Sequence, residues 1–162
     1  MATIYLALGS NVGDSAAYIQ KAIQLLGSTL SNMQQAPVYA AKPMGYTEQA
    51  DFLNTAISGQ TDVSPEELLA TIKDIEQEVG RVERFHWGPR EIDIDLIFYG
   101  DLIRNTDQLS IPHPHFQERD FVLQPLADLN ASLVDPLSGK TMRQLIDELP
   151  EDHISLIKVV GK

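Results

Sequence analysis

The sequence predicts an α+β fold in which a ferredoxin-like β-α-β-β-α-β core builds a mostly antiparallel sheet with helices packed on it. Three observations support this prediction: short apolar strands, two helices that each carry one apolar face, and a glycine or capping signal between successive elements. Additional elements follow the core at the C-terminal end, and the 162 residues are expected to form a single domain spanning 1–162.

The first strand and helix follow from the opening of the chain. Residues 2–8 are largely apolar and are stopped by Gly9-Ser10-Asn11, which predicts a strand buried on both faces. Asp14 or Ser15 can then cap a helix. Its apolar face has helical spacing and comprises Ile19, Ala22, Ile23, Leu26 and Leu30.

Two strands are predicted before the second helix. The first is a weak strand over 33–39, placed at a sheet edge because Pro37 has no N–H to donate. A loop over 40–50 follows it. Residues 51–61 then alternate in polarity as a strand does, and this completes the central part of the predicted sheet.

The second helix has a well-defined start and end. Ser64 and Glu67 form the capping-box pattern around Pro65, which occupies the first helical position. Gly80 stands where a helix commonly closes. The apolar stripe between these ends comprises Leu68, Ile72, Ile75 and Val79.

Beyond the second helix, the prediction is one strong strand and several smaller elements. A polar loop over 81–89 leads into the strand over 92–99, and Gly100-Asp101 closes it. The later predictions are a short strand at 102–103 pairing back across that turn, a loop over 110–119, helices over 120–129 and 141–149, and a final strand over 154–160.

Two carboxylates on the strand over 92–99 carry the strongest chemical signal. Because alternate residues of a strand share a face, Asp93 and Asp95 point the same way, with Cα atoms roughly 7 Å apart. Such neighbours raise each other's pKa and suit a hard cation such as Mg²⁺, and Arg90 just upstream complements phosphate oxygens. A solvated strand face with two acids is the alternative. The opposite face, predicted to point into the core, comprises Ile92, Ile94, Leu96 and Phe98.

Guanidinium and imidazole groups are concentrated in one quarter of the chain. Five of the six arginines and three of the four histidines lie between positions 81 and 119, whereas the lysines are scattered. This distribution favours an anionic ligand there, with chance clustering as the alternative. No Walker A motif is present, so a nucleotide would be held by metal and side chains instead of a glycine cradle.

Composition excludes several other classes of function. The formal net charge of −11 argues against nucleic acid and anionic membranes as partners. The absence of cysteine excludes thiol catalysis and Cys-ligated metal. No targeting or membrane-spanning pattern is found in the sequence, so a cytoplasmic location is expected, with a monomer as the expected oligomeric state.

A second group of residues suits a flat heterocycle. Phe52 and Asn54 share a face of the strand over 51–61, and Phe121 supplies another aromatic ring. Aromatic faces stack on planar ligands, and a carboxamide can both donate to and accept from a heterocycle edge. A core phenylalanine and a turn-forming asparagine are the alternative interpretation.

These segments together resemble the 6-hydroxymethyl-7,8-dihydropterin pyrophosphokinase family of folate biosynthesis over nearly the whole chain. The blocks that carry the resemblance occur in the family's order. They are Ala7-Leu8-Gly9-Ser10-Asn11-Val12-Gly13-Asp14, Asp51-Phe52-Leu53-Asn54, Trp87-Gly88-Pro89-Arg90-x-x-Asp93-Ile94-Asp95-Leu96, Ile111-Pro112-His113-Pro114 and Arg119-Asp120-Phe121-Val122-Leu123-x-Pro125-Leu126.

The resemblance implies transfer of pyrophosphate from ATP to the pterin hydroxymethyl group, with release of AMP. It implies two Mg²⁺ ions held by Asp93 and Asp95, and catalytic roles for Arg81, Arg90 and Asp95. The implied ATP-binding residues are Glu76, Trp87, Arg90, Leu96, Ser110, His113 and Arg119. The implied pterin-binding residues are Ala41, Met44, Phe52, Asn54 and Phe121.

Several positions depart from the family's commonest pattern. Ala41-Lys42 replaces a frequent Thr-Pro pair, Glu83 and His86 stand where basic residues are frequent, and His115 replaces a frequent arginine. Two other classes of function remain as alternatives: a ligand-binding module without catalysis, and a metal-dependent phosphohydrolase that uses the same two carboxylates.

Overall fold

The computed structural model describes residues 1–43, 48–82 and 88–161. In these residues the chain forms eight strands and four α-helices, joined by turns and two short 3₁₀ segments. The elements are β1 Ala2–Ser10, α1 Ser15–Leu26, β2 Ser31–Gln35, β3 Val38–Ala41, β4 Phe52–Thr61, α2 Pro65–Val79, β5 Asp93–Tyr99, β6 Arg104–Asn105, β7 Ser110–Ile111, a 3₁₀ turn Phe116–Glu118, α3 Asp120–Leu129, α4 Met142–Asp147, a 3₁₀ turn Glu151–His153 and β8 Leu156–Gly161.

One sheet carries six of these strands, all paired antiparallel. Its order is β5-β1-β4-β3-β8, and β2 pairs with β4 alongside β3. The central strand β1 therefore lies between β4 and β5, as the ferredoxin-like β-α-β-β-α-β connectivity requires. The predicted α+β fold class is confirmed. That residues 1–162 form a single domain stays a prediction.

The predicted helix signals act as expected at the ends of α1 and α2. The Asp14 carboxylate accepts the Ala17 N–H at 3.2 Å, and the Ser64 hydroxyl accepts the Glu67 N–H at 3.1 Å. Each bond satisfies a backbone donor that the first helical turn leaves free. Gly80 closes α2 with φ of 120°, a conformation that favours glycine.

Helices cover both faces of the sheet and enclose two separate apolar cores. The first core, between the sheet and α1 with α2, includes Ile4, Leu6 and Leu8 of the central strand. The second, between the sheet and α3 with α4, includes Phe98, Phe116 and Leu123. The prediction that the apolar run over 2–8 is a strand buried on both faces is confirmed, since β1 lies inside the sheet with a core on each side.

Two of the predicted strands differ from the structure. The strand over 33–39 is two strands, β2 and β3, separated at Ala36-Pro37, because proline cannot donate to a continuous ladder. Residues 102–103 form no strand. The Leu102 N–H instead bonds the Tyr99 carbonyl in a turn, and β6 pairs with β7 further along.

Phe98 faces the opposite core from the one predicted. The β1–β5 register shifts between the Tyr5–Phe98 pair and the Leu6–Leu96 pair, so Ile97 is an extra residue in β5. Such a bulge breaks the alternation of faces. Ile92, Ile94 and Leu96 pack in the first core as predicted, whereas Phe98 packs against Phe116 in the second.

Two smaller differences concern helix ends. The α1 helix ends at Leu26, so Leu30 joins the first core from the following loop. The last helix ends at Asp147 instead of Leu149.

Among the helices of the described ranges, none has both the length and the apolar character needed to cross a bilayer.

Candidate active site

A cleft of about 250 Å³ opens on the α3 side of the sheet, at the end where β1 finishes and β4 and β5 begin. Two small residues of the central strand, Ala7 and Gly9, line this cleft. Large side chains fill the same face of the sheet further along, where α3 and α4 pack. Small residues at this end of β1 therefore leave a hollow in the sheet surface.

Strand register places the Asp93–Asp95 pair on one side of that hollow and the Phe52–Asn54 pair on the other. Gly9 pairs with Asp93 on one neighbouring strand and with Asn54 on the other. Adjacent strands are about 4.8 Å apart, so the Cα atoms of Asp93 and Asn54 stand about 10 Å apart across Gly9. Ala7 pairs with Asp95 in the same way, one step along β5.

The acidic side of the cleft is organised by Glu76 of α2. Its carboxylate is buried, with 2% of the residue exposed. The Ile94 N–H, between the two aspartates, donates to Glu76 Oε2 at 2.9 Å. Arg81 Nη1 donates to the same oxygen at 2.9 Å and to Asp93 Oδ1 at 3.4 Å. Lys73 Nζ lies 3.4 Å from Glu76 Oε1. Glu76 thus fixes both Arg81 and the backbone of the diacid strand.

Asp95 lies in an environment that disfavours its charge. Burial raises the pKa of its carboxyl well above the ordinary value of 3.8, and the neighbouring Asp93 carboxylate raises it further. Its side chain still keeps 28% exposure, and that of Asp93 keeps 34%. A cation bound between them would restore the ionised form.

The residues present fit a hard divalent cation of the kind that keeps waters and takes oxygen from a substrate. Asp93 and Asp95 supply carboxylate oxygens on one face of β5. In residues 1–43, 48–82 and 88–161, no three acidic, histidine or cysteine side chains gather as a complete metal cage. Mg²⁺ is typically bound in this way, through one or two carboxylates, with its coordination completed by water and phosphate.

His113 faces Asp95 from the segment after β7. Its Nδ1 accepts the His115 N–H at 3.2 Å, which places the proton of the neutral ring on Nε2, 3.9 Å from Asp95 Oδ1. Burial, followed by the charges of Arg119 and His115, lowers the pKa of His113 to about 4. The imidazole is therefore a neutral hydrogen-bond donor at neutral pH.

The carboxamide side of the cleft contains an unpartnered donor. Asn54 is 6% exposed, and its Nδ2 is buried without a hydrogen-bond partner in the described part of the chain. Phe52 and Phe121 line the cleft beside it. A buried amide donor left free in an aromatic cleft is costly unless a ligand accepts from it.

Arg90 is held at the cleft by a residue to which the sequence assigned no role. Asn11 Oδ1 accepts the Arg90 N–H at 2.8 Å, and the Asn11 N–H donates to the Arg90 carbonyl at 3.0 Å. The Asn11 side chain also donates to Gln49 Oε1 and to the Ala50 carbonyl, each at 2.9 Å. Asn11 therefore joins the end of β1, the Arg90 segment and the approach to β4.

The structure brings most of the predicted site residues together. Those that line the cleft are Ala41, Phe52, Asn54, Arg90, Asp93, Asp95, His113, Arg119 and Phe121. Lys42 and His115, which depart from the commonest pattern of the resembled family, line it as well. Arg81 and Glu76 lie behind Asp93, as described above. The predicted pterin residue Met44, the predicted ATP residue Trp87, and Glu83 with His86 fall outside the described residues.

Two predicted ATP residues lie away from the cleft surface. The Leu96 side chain packs in the first core at 5% exposure, and Leu96 is not among the residues that line the cleft. Ser110 belongs to β7, where it pairs with Asn105, and is not among the residues that line the cleft.

Sequence reasoning missed the residues that shape the cleft without chemistry of their own. The sequence predicts only the end of a strand at Gly9 and Asn11, although the structure requires the glycine: a Cβ there would stand 2.7 Å from Asn54 Oδ1. The signal available was the Gly-Ser-Asn run directly after a buried strand. Strand order was the missing information, because only the β5-β1-β4 arrangement puts Gly9 between Asp93 and Asn54.

A ferredoxin-like sheet that joins a diacid and arginines to an aromatic, carboxamide-bearing cleft defines a kinase-type transferase for a small flat substrate. The family model for 7,8-dihydro-6-hydroxymethylpterin-pyrophosphokinase matches residues 5–131. The chain belongs to this family. Its activity is pyrophosphate transfer to hydroxymethyldihydropterin in folate synthesis, and the predicted function is confirmed at that level.

Individual relatives agree with the family match. The chain is 45% identical to the 2-amino-4-hydroxy-6-hydroxymethyldihydropteridine pyrophosphokinase of Aquifex aeolicus, over 91% of this chain and 92% of that protein. It is 41% identical to the Bacillus subtilis protein of the same name, over 77% and 76%. The HPPK-DHPS structure of Plasmodium falciparum superposes with a TM-score of 0.75 at 16% identity, covering 91% of this chain and 45% of that one, which supports the fold.

Proposed function

We propose that this chain binds ATP and 6-hydroxymethyl-7,8-dihydropterin together in the cleft and transfers pyrophosphate between them with Mg²⁺ as cofactor. The observation that carries the proposal is the row Asp93, Gly9, Asn54 across three adjacent strands. This row puts a cation and phosphate site on one side of the central strand and a heterocycle site on the other, within one cleft.

The pterin would occupy the side bounded by Phe52, Asn54 and Phe121. Aromatic walls suit the flat ring, and the free Asn54 Nδ2 offers a donor to an acceptor on its edge. Ala41, together with Met44 outside the described residues, would contribute further contacts at that edge. The family resemblance and the unsatisfied amide support the same assignment independently.

The triphosphate would occupy the side bounded by Asp93, Asp95, Arg90 and Arg119. Two Mg²⁺ ions, held by the two aspartates, would neutralise phosphate charge and so favour the transfer. Arg90 and Arg119 line the cleft as further cationic groups, and Arg81 reaches Asp93 from behind. Glu76, Trp87, Leu96, Ser110 and His113 complete the proposed ATP set.

In the proposed reaction the pterin hydroxymethyl oxygen attacks the β-phosphorus of ATP. A new O–P bond forms, the bond between the β-phosphorus and the oxygen that AMP retains breaks, and the hydroxyl proton passes to water. Alignment and charge neutralisation supply most of the acceleration in phosphoryl transfer. The chain's own contribution is to orient both substrates, to place Arg81 and Arg90 near developing charge, and to donate from neutral His113.

Product analysis tests this proposal directly. Incubation of the protein with ATP, Mg²⁺ and the hydroxymethyl dihydropterin is expected to give AMP and the pterin diphosphate in equal amounts. EDTA in excess over Mg²⁺ should stop both products. Phosphate release from ATP without the pterin would indicate a phosphohydrolase, whereas tight pterin binding without turnover would indicate a binding module.

Gly9→Ala is expected to weaken pterin binding selectively. The added Cβ would stand 2.7 Å from Asn54 Oδ1 and 3.6 Å from Phe52 Cδ1 and would push the carboxamide out of line. We expect the pterin dissociation constant to rise about tenfold or more by calorimetry, since overpacking costs about 1–3 kcal/mol. Gly59→Ala is the control because its Cβ would crowd Leu30 at 3.1 Å, away from the cleft. Equal pterin affinity in the two variants would contradict the assignment.

The remaining parts of the proposal concern the surroundings of the enzyme. We propose a monomer in the cytoplasm that does not bind nucleic acid or membranes. The net charge of −11 supports the last two points because it repels phosphate backbones and anionic headgroups.

A further inference from the structure

A buried carboxylate between two cleft residues has no part in the proposed reaction. Asp120, the first residue of α3, is 3% exposed. Its Oδ2 accepts the Ser155 N–H at 2.7 Å and the Leu156 N–H at 3.0 Å, and Ser155 Oγ donates to its Oδ1 at 2.5 Å. Its immediate neighbours Arg119 and Phe121 line the cleft.

Ser155 continues the connection to the other wall of the cleft. It is 3% exposed, and its carbonyl accepts the Lys42 N–H at 2.9 Å. Lys42 directly follows β3, and Ala41 pairs with Leu156 of β8. The series Asp120, Ser155, Lys42 therefore links the start of α3 to the end of β3, and both of these segments line the cleft.

The residues of this connection come from three distant parts of the chain. Ser155 lies beyond residues 5–131, so the family match does not assign it a role. Hydrogen bonds to a buried carboxylate are strong and are costly to lose. The hydrogen bonds that join Asp120, Ser155 and Lys42 form a clasp. This clasp holds the start of α3 and the end of β3 at a fixed spacing before any ligand arrives, which lowers the ordering cost of binding.

We propose that Asp120 and Ser155 are positioning residues for the pterin subsite. They hold Phe121 and the 41–42 segment at the spacing that the flat ring requires, and neither touches substrate. This inference rests on the proposed function, because it assumes that the pterin binds between these segments. Its expected signature is a defect in pterin binding with ATP binding preserved in Ser155→Ala, since Asp120→Asn also disturbs the adjacent Arg119 of the proposed ATP set.

The experiment compares Asp120→Asn and Ser155→Ala with a matched pair elsewhere in the fold. Asp135 is also buried, at 1% exposure, and accepts Ser138 Oγ at 2.8 Å and the Leu137 N–H at 3.0 Å in a turn that does not line the cleft. Asp135→Asn and Ser138→Ala therefore remove the same kinds of bond. All four variants are measured for melting temperature, KM for each substrate and kcat.

Asp120→Asn and Ser155→Ala are expected to differ from their controls in pterin KM. Asp120→Asn should raise it about tenfold and Ser155→Ala about threefold, and ATP KM in Ser155→Ala should change by less than about twofold. Asp135→Asn and Ser138→Ala should lower the melting temperature comparably and leave both KM values at those of the parent. Pterin KM unchanged in Ser155→Ala, or pterin and ATP KM raised together in that variant, overturns the proposal. If Asp120→Asn does not fold, Ser155→Ala decides, because it keeps both backbone bonds.

Hydrogen exchange at the Lys42 amide separates this proposal from the proposed function. Exchange should be faster in Ser155→Ala than in Ser138→Ala, and this readout needs no turnover. Equal exchange in the two variants overturns the clasp. A parent protein that forms no AMP and pterin diphosphate overturns the proposed function, and the exchange comparison then still decides whether the clasp exists.

Discussion

Asp95→Asn should abolish pyrophosphate transfer and at the same time stabilise the metal-free protein. The substitution removes one of the two carboxylates proposed to hold Mg²⁺, and loss of one group that stabilises transition-state charge commonly costs about 10²–10³-fold in kcat. It also removes the charge that the folded chain disfavours, since burial and Asp93 raise the pKa of Asp95. Activity and stability should therefore move in opposite directions.

The size of the stability change depends on pH. Below pH 3.8 the carboxyl is protonated in both folded and unfolded chains and contributes nothing to stability. As the pH rises through the raised folded pKa, the unfolded chain ionises first, so the free energy of unfolding falls. Asparagine cannot ionise, so the free energy of unfolding of the variant should exceed that of the parent by about 1–2 kcal/mol at pH 8. Each unit of pKa difference between folded and unfolded chains is worth about 1.4 kcal/mol.

Thermal melts at pH 4 and pH 8, with EDTA or with Mg²⁺, measure this effect. The advantage of Asp95→Asn should be present at pH 8 in EDTA, small at pH 4, and reduced by Mg²⁺, which stabilises the parent alone. Asp101→Asn is the control, since Asp101 is an exposed acid in the turn after β5. Pterin-dependent AMP formation retained by Asp95→Asn would contradict the metal assignment. Equal melting temperatures of variant and parent at pH 8 in EDTA would contradict the claim that the Asp95 charge destabilises the folded chain.

The pairs of side chains that share the cleft were predictable from sequence because each pair depends on local periodicity. Asp93 and Asp95 lie two apart in a strand, so their shared face follows from the pleat alone. Phe52 and Asn54 follow in the same way. What joins these pairs is the β5-β1-β4 order, which the pattern of each strand does not contain. The antiparallel ladders through Gly9 bring the two pairs to one cleft.

Errors in the predicted fold arise where one residue changes the backbone without changing composition. The bulge at Ile97 turns Phe98 to the other core, although both residues are apolar and both are buried. Period-based reasoning cannot detect such an insertion because apolar residues suit either face. The same limit applies to Asp120, whose partners Ser155 and Leu156 are remote in sequence.

Glu76→Ala is expected to damage activity through geometry, since Glu76 is buried behind the diacid. Removing its carboxylate leaves the Ile94 N–H and the Arg81 guanidinium without the acceptor that fixes them. Breaking a buried ion pair from one side costs about 3–5 kcal/mol of unfolding free energy. We expect about a 10²-fold fall in kcat as well, since small displacements of catalytic groups have costs of this size.

Comparison of Glu76→Gln with Glu76→Ala distinguishes positioning from charge. Glutamine keeps an oxygen that can accept the Ile94 N–H, but it no longer balances the Arg81 and Lys73 charges. If Glu76 acts mainly by orienting β5, the glutamine variant should recover most of the kcat lost by the alanine variant. If its charge matters most, through Arg81, both variants should fall alike. Glu78→Ala, on the exposed face of α2, should leave kcat and urea unfolding unchanged. Full activity in Glu76→Ala would show that Asp93, Asp95 and Arg81 hold their places without it.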